Sequence, residues 1–498
     1  MGGSLWRPTA ILESSTRQTT RRTYQFGFVV AALGLAAWLP SVRPYIPVAD
    51  DYALAERFTS LQAMGSWVRD NGIQRIGQFP TAWLLMRKSS LAPSLIALTL
   101  HISVCLAFFL VCARLLGPSP ALAISSVFAA WPSGFEAILW TGACLPCLLS
   151  ALVFWVSVLV VLETPKRSSH QFICGASIAT LVLFTSAFRE DFTFCYFAIP
   201  LLSVGTAEST SIRKISQAIR TAPIFLAPAV GAATFIGLMI TLPRPAAKHP
   251  VGFHLLSIVS VFWRQYSALD VFGSWFNPSN LQILIWQLGL KVLGSLIVFS
   301  AVVVIVLVVF LGRSEKYSKV QSADKVGWFV GPLLVGASLL YVLAGGFSLD
   351  SRKKYSLMTV ILFSLGWLWC EVVEPRLHFN MQVVRAVTVF LCVAGVTTTW
   401  LVCALWHAEE LRMSAIVQYL VENPLPSNVR VVSQPDLYQL WPQFRREVGF
   451  RFDDAWVLEL ALDAAKTPTR ITNEGQSQRV IVSLLTPTGF SVLPEHHR

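Results

Sequence analysis

The chain has 498 residues, of which 54% are hydrophobic and only 13% charged, with a formal net charge of +12. Soluble domains carry about a quarter charged residues, so this composition excludes an ordinary soluble fold. It points to a polytopic membrane protein with several runs of the ~20 apolar residues that span a bilayer as helix. The basic residues gather in short links between apolar runs: Arg7, Arg17, Arg21 and Arg22, then Lys166-Arg167, Arg213-Lys214 with Arg220, Arg313, Lys316, Lys319 and Lys325, and Arg376 with Arg385. That is the positive-inside pattern, not a nucleic-acid footprint, and no nucleic-acid partner is expected.

Taken in order, the elements begin with a first span over about 24–39, preceded by an Arg- and Thr-rich tail that places the N-terminus in the cytoplasm. No small-residue cleavage site follows it, so the span is expected to be retained. A long external loop occupies about 41–92. Spans follow near 93–113, 120–141, 144–162, 171–188, 190–205 and 222–242, and a second external loop covers about 243–280. The last spans lie near 281–311, 326–347, 355–373 and 385–406. The run at 281–311 is long enough to be tilted or broken. Ala53–Arg69 and His254–Ala268 have the mixed spacing of helices lying flat at the interface, with Trp67, Trp83, Trp263 and Trp275 suited to that depth.

Eleven crossings place residues 407–498 outside. There Asn428–Ser433 and Arg479–Leu485 alternate like strands, while Pro435–Val448 and Asp454–Ala465 read as helices. The expected fold class is therefore an all-α polytopic membrane protein of about 11 transmembrane helices, with interfacial helices in two long external loops and a small C-terminal α/β appendage. The expected division is a membrane module over 1–406 and an external unit over 407–498. The nine cysteines all fall in or beside apolar runs and read as packing residues, Cys144-Leu145-Pro146-Cys147 included.

Charged residues near the span ends carry the functional signal. Asp50-Asp51 opens the first external loop. Glu136 lies near the external end of the third span, in Trp131-Pro132-Ser133-Gly134-Phe135-Glu136-Ala137-Ile138-Leu139-Trp140. Arg189-Glu190-Asp191 forms the external hinge between the fifth and sixth spans. Asp350, Arg352, Lys353 and Lys354 form the hinge between the ninth and tenth.

Each group has a plain structural alternative: a helix cap for the acidic pair, an interhelical hydrogen bond for Glu136, a polar turn or a solvated helix end for the others. None of these explains why all four share one face of the membrane. A lipid-linked sugar phosphate at the outer surface does. Its phosphate calls for cations, for which Arg352 with Lys353 or Lys354, and Arg189, are the candidates. An attacking acceptor hydroxyl calls for a base, for which Asp50 or Asp51 is the candidate, with inversion at the anomeric carbon. Glu136, Glu190, Asp191 and Arg264 are expected to support the site, Arg264 from the second external loop.

These motifs resemble those of the GT-C superfamily of membrane glycosyltransferases. Asp50-Asp51 looks like its acidic motif in the first external loop. Pro132-x3-Glu136-Ala137-Ile138-x-Trp140 is similar to a Pro-x3-Glu-Ala-Val-x-Trp segment of the protein O-mannosyltransferase and tetratricopeptide-linked mannosyltransferase branch. Ser186-Ala187-Phe188-Arg189-Glu190 and Ser351-Arg352-x-x-Tyr355 fall where that branch has Ser-Lys-Glu and Arg-Tyr elements. Order and spacing agree over about 25–406, although the acidic pair is Asp-Asp here and Asp-Glu in the family.

The resemblance implies a polyprenyl-phosphate sugar donor, a glycan, lipid or protein acceptor, and an externally facing site in a bacterial inner (plasma) membrane. Members differ in metal need. The acidic pair leaves a divalent ion, Mg2+ or Mn2+, open as a cofactor, but no residue is assigned as a metal ligand. The alternative from a different class is a lipid-linked glycan flippase or transporter without transferase activity. Against it stand the one-sided charges and the lack of the internal repeats common in transporters.

Overall fold

The computed structural model describes residues 9–49, 51–52, 90–132, 134–164, 171–204, 223–241, 278–312, 323–343, 351–373, 381–425, 429–434, 454–471, 479–486 and 489–494, with isolated positions between 60 and 84 and at 452. The fold is mostly helical, with a small strand-containing C-terminal part. Among the described residues six helical segments are long and apolar enough to cross a membrane: Arg21–Ser41, Ala92–Leu115, Thr141–Glu163, Asn280–Gly312, Lys354–Val373 and Gln382–Glu422. Pro118–Ala130, Gln171–Ala187, Ala227–Thr241 and Val326–Leu339 are shorter apolar helices.

The helices used below are α1 (Thr9–Trp38), α2 (Ala92–Leu115), α3 (Pro118–Ala130), α4 (Glu136–Leu139), α5 (Thr141–Glu163), α6 (Gln171–Phe188), α7 (Ala227–Thr241), α8 (Pro278–Gly312), α9 (Ala323–Leu343), α10 (Ser351–Leu368), α11 (Met381–Glu422) and α12 (Ala455–Ala464). In the core of the bundle Phe108 of α2 packs edge to face on Phe128 of α3 and Trp155 of α5, and Trp155 meets Phe363 of α10 at a tilt. The nine cysteines are free, and seven of them are buried, as expected of packing residues.

Two expected spans are corrected. The run expected as one helix over 120–141 stops at Ala130, because Trp131 precedes Pro132 and takes an extended conformation (φ −80°, ψ 136°). Gly134 then adopts φ +85°, the single turn α4 follows, and α5 begins at Thr141.

The expected span at 190–205 is not a continuous helix. It runs as the 3-10 turns Glu190–Phe192 and Cys195–Ala198 and then one helical turn, Leu201–Val204. β-Branched and aromatic residues weaken helix here, and Pro200 has no amide hydrogen to donate while its ring crowds the carbonyl four residues back. Irregular backbone at membrane depth survives only where protein encloses it. Phe192, Cys195, Tyr196, Ala198 and Ile199 are all buried, with Phe154 of α5 stacked on Phe192 at 4.5 Å.

The long run at 281–311 is a broken helix, as allowed for: Gly289 in α8 has φ +71° and ψ 151°. α11 runs unbroken for 42 residues, which at ~1.5 Å per residue is about twice the hydrocarbon thickness of ~30 Å. The expected boundary at 406 falls inside it, and its last turns carry the C-terminal unit.

In that unit the strands β1 (Val429–Gln434), β2 (Arg479–Thr486) and β3 (Gly489–Pro494) lie in the order β1-β2-β3. β1 pairs with β2 in parallel and β2 with β3 antiparallel. α12 lies between β1 and β2 in sequence, as a parallel pair requires of its connection, and buries Val457, Leu458, Ala461 and Leu462 on one face. Both expected strands and the expected helix at 454–465 are present. The expected helix at 435–448 and the interfacial helix at 254–268 lie outside the described residues, as do most of 53–69 and Trp67, Trp83, Trp263 and Trp275.

The fit of α9 against the irregular 190–204 segment makes a prediction. A Cβ on Gly336 would sit 2.8 Å from the Phe194 carbonyl, whereas one on Gly331 of the same helix would meet nothing within 4 Å. Gly336→Ala should destabilise the detergent-purified protein by about 1–3 kcal/mol, the usual range for overpacking. Gly331→Ala should leave the thermal unfolding temperature unchanged or slightly raised.

Candidate functional site

The candidate residues gather where α1, α3 and α6 end and α2, α5 and α10 begin. A helix end deep in a bundle leaves carbonyls that need donors. At the C-terminus of α3, Trp38 Nε1 donates to Ala129 O at 3.1 Å and Thr399 Oγ1 to Ala130 O at 2.8 Å. His101 of α2 also approaches Ala129 O with Nε2, at 3.5 Å, while its Nδ1 lies 2.9 Å from the Tyr355 hydroxyl of α10. With the proton on Nε2 the imidazole donates to the carbonyl and accepts from the phenol. This lattice fixes where the chain leaves α3 to enter the Trp131–Trp140 turn.

Asp51 is fully buried. Its Oδ2 accepts from Val48 N at 3.2 Å, and its own amide donates to Val48 O at 2.9 Å. A carboxylate reaching back three residues to an orphan amide is one half of a capping box, which differs from the cap of a helix beginning at Tyr52. Its Oδ1 accepts from Trp140 Nε1 at 3.0 Å, across 89 residues.

Gly142 makes room for that bond, since a Cβ there would collide with Asp51 Oδ1. Ala49 sits at φ +45° immediately before the acidic pair. A left-handed alanine costs about 1–3 kcal/mol and persists only where its surroundings fix it. The Tyr45 hydroxyl is buried near Asp51. Burial and then the Asp51 charge hold that phenol well above its ordinary range. Burial, then the Asp51 and Glu410 charges, push Tyr52 up to about 12. Both phenols therefore stay protonated at neutral pH.

The Trp131–Trp140 turn connects this loop to α10. Gly134 lies so close to Tyr355 that an added Cβ would stand 2.5 Å from the tyrosine Cβ. Glu136, the first residue of α4, is fully buried. On the other side of α10, Ser356 Oγ donates to Asp191 Oδ2 at 3.4 Å, and Arg189 Nε donates to the same oxygen at 2.7 Å.

The structure thus links Asp51, the Glu136 turn, the start of α10 and Arg189-Asp191 through successive direct contacts. The backbones of Arg352 and Lys353 lie in the first turn of α10 and that of Glu190 in the adjoining 3-10 turn; nothing further is described of these three side chains. Lys354 is buried. Asp50 and Arg264 lie outside the described residues. Among the described residues no group of three or more His, Cys, Asp and Glu side chains is placed to hold a metal ion.

Sequence reasoning missed two groups. His101 joins Tyr355 to α3, and an ionisable residue inside an apolar span was a signal that could have found it. Arg43 and Glu410 form an ion pair at 3.0 Å. They line a small, partly open cleft with Tyr45, Ser94 and Thr141.

No family model matches the chain, and no curated protein does. Among solved structures, the crystal structure of ArnT from Cupriavidus metallidurans bound to undecaprenyl phosphate is similar at 12% identity and a TM-score of 0.35, covering 92% of each chain.

The Asp51–Trp140 bond can be tested. Trp140→Phe keeps the ring but removes the donor, leaving a buried carboxylate short of one partner. Stability should fall by about 1–3 kcal/mol, measured by thermal or denaturant unfolding in detergent. Unchanged stability would show that the bond is not a structural link.

Proposed function

We propose that the chain is an integral membrane glycosyltransferase that moves a sugar from a polyprenyl-phosphate donor to an acceptor hydroxyl at the external face of the membrane. The single observation that carries this reading is the convergence at one end of the bundle. Asp51 is bonded to the Trp140 indole, Gly134 of the same turn is packed on Tyr355, and Ser356 one residue later is bonded to Asp191. A carboxylate-bearing loop and the helix that begins Ser351-Arg352-Lys353-Lys354 are thereby held on one scaffold. Acid–base chemistry and phosphate binding need that proximity.

The roles divide as follows. Both Asp51 oxygens already accept hydrogen bonds from groups that shape the loop, so Asp51 acts as the positioning residue. Asp50, next to it, acts as the base. It takes the acceptor proton as the acceptor oxygen attacks the anomeric carbon and the polyprenyl phosphate departs, which inverts the centre. Arg352 and Lys353 receive the departing phosphate charge, with the Arg fork suited to its oxygens. Arg189, oriented by Asp191, stands as a further cation of the same face. Glu136, Glu190 and Arg264 support the site. The anomeric carbon exchanges its bond to the phosphate oxygen for one to the acceptor oxygen, so no oxidant or nucleotide is required.

The test is transfer by the purified protein in proteoliposomes supplied with lipid-linked sugars extracted from the native membrane. General-base contributions run about 10²–10⁴-fold. Asp50→Asn is therefore expected to lower the transfer rate at least 100-fold while thermal unfolding stays as in the wild type. Undiminished transfer in Asp50→Asn, in Asp51→Asn and in the double variant would overturn the reading. Movement of lipid-linked sugar between leaflets with no new glycosidic product would favour a transporter instead.

A further inference from the structure

We infer that Glu410 and Arg43 act as a positioning clasp: the last membrane helix holds the first external loop, and with it the acidic pair, in its working place. This deepens the functional reading and rests on it.

The clasp is built from residues that the proposed chemistry does not use. Arg43 lies in the stretch between α1 and the acidic pair. Its Nε donates to Glu410 Oε2 at 3.0 Å and its Nη1 to Cys403 O at 3.1 Å, both partners on α11. The Arg43 backbone is fixed as well, with Ser94 Oγ of α2 accepting from its amide at 3.2 Å and donating to its carbonyl at 2.9 Å. Two residues on, Tyr45 N donates to Ser90 O at 3.1 Å. Three more residues lead to Val48, whose amide Asp51 holds.

Glu410 is itself locked from the other side. Its Oε1 accepts from Trp406 Nε1 at 2.7 Å, and His407 Nδ1 lies 3.3 Å from Oε2. The Trp406 ring lies 6.0 Å from Phe135, the neighbour of Glu136, and 4.9 Å from Phe452 of the C-terminal unit. One side chain thus touches the Glu136 turn, the first loop's anchor and the appendage.

Two features favour positioning over mere anchorage. Ion pairs between groups this buried are strong only when the geometry is good and further hydrogen bonds complete it, and both partners here have such bonds. The loop they hold carries the strained Ala49, a conformation that relaxes unless its flanks are fixed. Release of Arg43 removes an anchor on the N-terminal flank of that residue.

The experiment pairs hydrogen–deuterium exchange of the 42–52 segment with transfer kinetics in the full-length protein. In Glu410→Gln and in the charge-retaining Arg43→Lys, exchange at the Tyr45 and Asp51 amides should rise at least tenfold, while the amides of α2 stay protected. The transfer rate constant kcat should fall at least tenfold, with KM for the lipid donor changed less than twofold, and Glu410→Asp should recover part of both losses. Unaltered exchange in both variants would overturn the clasp. Loosened exchange with unchanged kcat would overturn its link to the reaction. A wild-type protein without transfer would sink the functional reading, while the exchange result would still decide whether α11 holds the loop.

Discussion

A membrane interior offers no water to satisfy a helix end, and most of what is distinctive here follows from one such end. α3 stops after 13 residues because Trp131-Pro132 cannot continue it, and its last carbonyls must find donors inside the bundle. Trp38, Thr399 and His101 come from three other helices to meet them. Those bonds fix the bundle around the break and leave the Trp131–Trp140 turn in one conformation, with Gly134 pressed on Tyr355 and the Trp140 indole aimed at Asp51.

The site inherits its precision from this arrangement. None of its parts is close in sequence: Asp51 and Trp140 are 89 residues apart, Asp191 and Ser356 are 165 apart, and Arg43 and Cys403 are 360 apart. Each contact uses a donor or acceptor that would be expensive to leave unpaired at such depth, so polar satisfaction and site assembly are the same event. The division of labour proposed for the two aspartates starts from Asp51, whose two carboxylate oxygens both accept hydrogen bonds that shape the loop.

Much of this was legible in the sequence. Apolar run lengths gave the membrane class, and period-two alternation gave two of the three strands of the C-terminal unit. The Pro-x3-Glu and Arg-x-x-Tyr motifs marked segments that do meet. The failures have physical reasons. The 120–141 run is apolar throughout, and hydropathy overrode the Trp-Pro signal that ends α3. The 190–205 run is apolar because it is enclosed by protein, and enclosure and lipid exposure demand the same composition. Arg43 and Glu410 belong to no motif in the sequence. Only the fold shows that they are partners, since pairing over 367 positions leaves no local pattern.

The central claim is that this chain makes a glycosidic bond at the expense of a polyprenyl-phosphate sugar. Mass spectrometry of envelope glycans and polyprenyl-linked sugars, in cells with the gene, without it, and with only the Asp50→Asn form, measures that directly. The account predicts that deletion and Asp50→Asn cells alike lose one sugar modification and accumulate the matching lipid-linked sugar. Identical glycan and lipid-linked sugar profiles in all three strains would contradict it.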